Sequence, residues 1–121
     1  MICHFINKQR VFELLEKHNE TYDIVVSLRI DIVFKNKFDF SNIVENTIYI
    51  PDNYDWGGIN DQVAYGNMEV MKKYNYIFKN IIYLLDNKLS IVHPETLTLA
   101  NIIFNKLKIN RFKLSYFIER R

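Results

Sequence analysis

The apolar positions of residues 22–34, YDIVVSLRIDIVF, run almost without a break instead of alternating. Ile24, Val25, Val26, Ile30, Ile32 and Val33 are β-branched, which favours an extended chain. A near-continuous apolar strand is the pattern of one buried on both faces, so residues 22–29 read as the central strand. On either side the period changes. Residues 5–18 set Phe5, Ile6, Val11, Leu14 and Leu15 against Lys8, Arg10, Glu13 and Lys17, the spacing of an amphipathic helix. Asn67 is placed to cap a second helix. Its Val70, Met71, Tyr74, Ile77 and Phe78 share a side, and the pattern reaches about Leu85 with a break near Asn75. Pro94 and Glu95 suit the first turn of a last helix, with Leu97, Leu99, Ile102, Ile103 and Leu107 as its apolar side.

The shorter segments complete the pattern. Asp39 or Ser41 is placed to cap a helical turn through Glu45, and residues 47–50 form a short strand that Pro51 ends. Residues 111–119 alternate, with Phe112, Leu114, Tyr116 and Ile118 on one face of a closing edge strand and Arg120 and Arg121 after it. Together these elements predict an α/β fold, a small mixed β-sheet flanked by helices, in one domain over residues 1–121.

Composition narrows the function classes. At 49% hydrophobic and 25% charged, the chain is an ordinary globular sequence. A formal net charge of +2, with basic residues scattered, argues against nucleic acid as a partner. The single cysteine, Cys3, allows no internal disulfide and no thiolate zinc site. No apolar run is long enough to span a bilayer, and no basic segment leads into an apolar core as in a signal peptide. The expected setting is cytoplasmic and reducing.

Candidate chemistry gathers in three places. Arg29 and Asp31 lie at the end of the apolar strand, where a charge is costly unless paired or used to bind and where ligands of open α/β sheets collect. Alternatively, the two simply bind each other. Residues 51–61, PDNYDWGGIND, hold two of the three glycines, the sole tryptophan and three aspartates. Such loops over a sheet carry binding groups. Gly57 and Gly58 let the backbone approach a ligand closely, or the loop is a mere connection with Trp56 covering the edge of the core. Asp61 opens the next segment, ahead of an apolar pair and a glycine. His93 contacts a phosphate or metal, or is merely the residue before a proline.

The order of Arg29-Ile30-Asp31, Gly58-Ile59-Asn60-Asp61, Tyr65-Gly66 and His93-Pro94-Glu95 resembles that of GT-A-type glycosyltransferases of the capsule, lipopolysaccharide and large-DNA-virus group, over about residues 5–120. The resemblance implies the C-terminal part of such a domain, without the N-terminal half that would hold the nucleotide. It implies transfer of a sugar from a nucleotide-sugar donor to a glycan or protein acceptor. Asp31 would hold Mn²⁺ or Mg²⁺, although Arg29 stands where such enzymes usually carry the first aspartate of Asp-x-Asp. Asp61 would be catalytic, and Arg29, Asn60, Gly58, Trp56 and His93 would bind substrate. Such a chain alone would bind nucleotide sugar weakly. It would self-associate or pair with the missing half through an exposed sheet edge. A non-catalytic pseudoenzyme or interaction module is the alternative.

Overall fold

The computed structural model describes residues 2–119. The order of elements is α1 (Ile2–Glu16), β1 (Val25–Leu28), β2 (Ile32–Phe34), β3 (Thr47–Pro51), β4 (Val63–Gly66), α2 (Met68–Asn75), a 3₁₀ helix (Tyr76–Asn80), α3 (Ile81–Asp86), α4 (Pro94–Phe104), β5 (Lys108–Phe112) and β6 (Tyr116–Ile118). A four-stranded sheet runs β1-β4-β3-β5, and β2 pairs with β6 in a separate two-stranded ribbon. In the larger sheet β4 is antiparallel to both β1 and β3, and β3 is parallel to β5, with Thr47 opposite Lys108 and Pro51 opposite Phe112. The architecture is therefore mixed α/β with a small mixed sheet.

Strand alternation sorts the core onto the two faces. Ile48, Ile50 and Ala64 meet Phe12, Val70, Met71, Tyr74 and Ile102 from the helices. On the opposite face Tyr49 and Tyr65 stack with centroids 4.8 Å apart, and Phe40 and Phe112 meet Tyr65 edge-on. There Val63, Leu114 and Tyr116 form a further cluster with Ile32 and Phe38. A third group, Phe5, Ile77, Ile81, Leu84 and Leu97, joins α1 to the C-terminal helices.

Asn67 caps α2 by accepting from the Val70 N–H at 2.9 Å, and helicity tightens into the 3₁₀ turn just after Asn75. Buried Asn101 holds that junction, donating to the Lys73 carbonyl and accepting from Asn80. Asp39 bonds the Ser41 N–H at 3.0 Å without starting a helical turn.

The strand read as central stands at the edge. It is four residues long, and Ile24, Val25 and Val26 are half-buried. The fully buried strands are β3 and β4, and β4, VAYG, carries too short a pattern to be read as a strand. The stretch from Tyr22 to Phe34 also divides, because the chain turns at Arg29–Asp31 and β2 leaves for the ribbon. The closing strand likewise divides into β5 and β6, although the alternation of Phe112, Leu114, Tyr116 and Ile118 survives in their burial. Arg120 and Arg121 lie outside the described residues.

Candidate functional site

A cleft of about 860 Å³ opens between α1 and β1, within the size range of small-molecule sites. It exists because α1 packs on the 3₁₀ turn and α2, leaving the outer side of β1 uncovered. Arg29 donates its backbone N–H to the Gln62 carbonyl at 3.1 Å. By the alternation of an antiparallel ladder, the backbone groups of Val25 and Ser27 then face β4, and those of Val26 and Leu28 face the cleft. The opposite wall is a stripe of α1. Its Val11 and Leu14 line the cleft and are 67% and 58% exposed.

Polar groups gather at the end of the cleft where β1 finishes. Arg29 grips Asp31 with two bonds, Nε to Oδ1 at 2.9 Å and Nη2 to Oδ2 at 2.8 Å. The hydrogen bond to Asp31 is the main reason its guanidinium is held above the ordinary range, and the charges of Asp31 and Asp61 add to it. Asp61 reaches the same cleft from the segment before β4. Lys8 of α1 donates to the Asp61 backbone carbonyl at 3.3 Å and to the Tyr74 hydroxyl at 3.0 Å. His4 Nε2 stands 3.7 Å from Asp61 Oδ2, beyond hydrogen-bond reach. Burial lowers the His4 pKa, with Lys8 adding to the shift and Asp61 opposing it.

The other candidate residues lie elsewhere, and none of residues 51–60 lines the cleft. Trp56 is 67% exposed on its loop, at φ +48°. Gly58 sits where the loop crosses the start of α4. A Cβ there would lie 2.3 Å from the Glu95 backbone, so its role is close packing. Asn60 is fully buried. Its amide donates to Asn53 Oδ1 and to the Tyr116 hydroxyl, and its Oδ1 accepts from the Gln62 N–H. The Tyr116 hydroxyl in turn donates to Gln62 Oε1 at 2.8 Å, so Asn60 supports the cleft from behind. His93 caps α4, with Nδ1 accepting from the Thr96 N–H and Nε2 3.3 Å from Glu95.

A divalent cation at Asp31 finds a poor donor set. Both carboxylate oxygens hold Arg29, and among the described residues no group of three or more His, Cys, Asp or Glu side chains gathers to bind a metal. Hard cations take six or more oxygen ligands, so the residues present do not fit one, and the ion-pair reading of Arg29 and Asp31 describes the geometry. Lys8, His4 and Gln62 are cleft residues that the sequence did not single out. Lys8 counted only as the polar side of an amphipathic helix, and periodicity cannot tell a solvated face from one turned to a cleft. Among the described residues no helix is long and apolar enough to cross a membrane. No family model matches the chain, and no curated protein matches it at a significant level of similarity.

Proposed function

We propose that the polar end of the cleft binds the diphosphate of a nucleotide sugar and that the chain serves glycosyl transfer. The observation that supports this reading is the meeting of Arg29, Asp31, Lys8 and Asp61, from three separate segments, at one end of a single cleft. Arg29 Nη1 has no protein partner among the described residues and is the nitrogen to meet a phosphate oxygen. Asp31 orients that guanidinium. In the transfer, the acceptor hydroxyl oxygen bonds to the anomeric carbon as the bond from that carbon to the diphosphate breaks. The diphosphate leaves with the electron pair, and the hydroxyl proton passes to Asp61. Fixed positive groups at Arg29 and Lys8 offset the charge developing on the leaving group.

Calorimetry with UDP-, GDP- and CDP-linked sugars tests the reading. Arg29→Ala should weaken binding by about tenfold or more, the worth of one charge-assisted bond. Asp61→Asn should leave affinity intact and lower transfer by about 10²- to 10⁴-fold. A chelator should not change the affinity. Failure of every nucleotide sugar to bind would leave the non-catalytic module as the reading.

A further inference from the structure

We propose that the apolar length of the same cleft is a docking slot for an extended, uncharged segment of another polypeptide, which adds to the sheet beside β1. Two open surfaces face each other there. One is the open edge of β1, where Val26 and Leu28 present N–H and C=O groups along a strand that spans about 13 Å. The other is the α1 stripe of Val11 and Leu14, exposed although apolar. A helical ligand has no free backbone groups to offer the edge. A small apolar molecule would cover the stripe and leave the edge unpaired. An extended segment satisfies both, bonding β1 through its backbone and α1 through alternate side chains.

Charge decides the character of the occupant. Among the described residues, the four charged residues of the lining, Lys8, Arg29, Asp31 and Asp61, gather at the polar end. The slot beside Val25 and Val26 carries none among the described residues, so the segment that fills it is uncharged over about four or five residues, one strand length. The far edge of a second copy suits it badly, because β5 carries Lys108 and Arg111. A docked strand also leaves the ends of Arg29 and Asp61 open, which makes it the missing wall of the proposed nucleotide-sugar site. In that respect the inference builds on the transferase reading, but capture is measured without any sugar, so either can fail alone.

The probe is a displayed library of random peptides about ten residues long, roughly twice a strand, selected against the full chain. Binders should share a run of Val, Ile, Phe or Tyr free of charge. On binding, amide exchange of Val26 and Leu28 followed by NMR should slow, while that of Val25 and Ser27, bonded to β4 already, should not change. Val26→Pro removes an outward N–H from an edge position that tolerates proline and should cost about tenfold in affinity. Leu14→Glu alters the exposed opposite wall, so it should cost a similar factor with the melting temperature unchanged. The proposal is overturned by a library that yields no binder, by binders indifferent to both substitutions, or by unchanged exchange at Val26 and Leu28. Sedimentation as a dimer with the β1 edge already protected would overturn it too, by giving the slot to a second copy.

Discussion

Tyr116 ties the loop before β4 to the ribbon through one hydroxyl, which accepts from Asn60 and donates to Gln62. Burial raises its pKa to about 12, and burial with the bond to Glu16 raises that of Tyr76 to about 12 as well. An unfolded tyrosine loses its proton near pH 10. The folded state therefore keeps protons that the unfolded chain has released, and this stability is complete below pH 10 and lost as the pH climbs towards 12. Thermal unfolding followed from pH 8 to 12 should show the melting temperature falling over that window, and Tyr116→Phe should flatten the fall. At pH 7 the same substitution should cost about 1 kcal/mol, since Asn60 and Gln62 lose a partner. An unchanged slope would remove Tyr116 as a cause. The Arg29–Asp31 pair is different, being 40% and 32% exposed. Exposed pairs typically contribute about 1 kcal/mol or less, so Asp31→Ala should lower the melting temperature only slightly.

At the scale of elements, caps and glycines decide where segments begin. Pro94 at the start of α4 and Asn67 before α2 are legible in the sequence, because each acts through its own backbone or its nearest turn. His93 is the actual cap of α4, and His93→Ala should destabilise by about 1 kcal/mol, measured by urea unfolding. Gly58→Ala should cost more, because Glu95 and Thr96 would have to move; a loss near zero would show that the loop can shift away from α4. What the sequence hid is the position of strands within the sheet. The run from Ile24 to Val26 is as apolar as a central strand, yet it lies at an edge. Apolarity records that both faces are partly covered, and says nothing of whether a neighbour pairs on each side. β4 was hidden for the opposite reason, since Ala64 and Gly66 carry little pattern and its place between β1 and β3 comes from long-range pairing. The polar end of the cleft was legible as Arg29, Asp31 and Asp61. The contributions of Lys8 and His4 were not, because they depend on how α1 lies against the loop before β4.

Across the whole molecule, protection follows the sheet order. β3 and β4 are buried at every residue, whereas β1 is half-buried with one side open. Native-state amide exchange should be slowest in β3 and β4 and faster in β1, which opens without unpairing the rest. Equal protection in β1 and β4 would show that the edge is already covered. The parallel pairing of β3 with β5 has a further, kinetic consequence. Arg111 reaches the Ile50 carbonyl across 61 residues of chain, and a loop of that length must close before the pairing stabilises anything. During synthesis β3 emerges long before β5, so one edge of a buried, strongly apolar strand waits without its neighbour until the ribosome has released Phe112. Over that interval TIYIP is the segment of the nascent chain most open to mispairing, and chaperone occupancy should peak there.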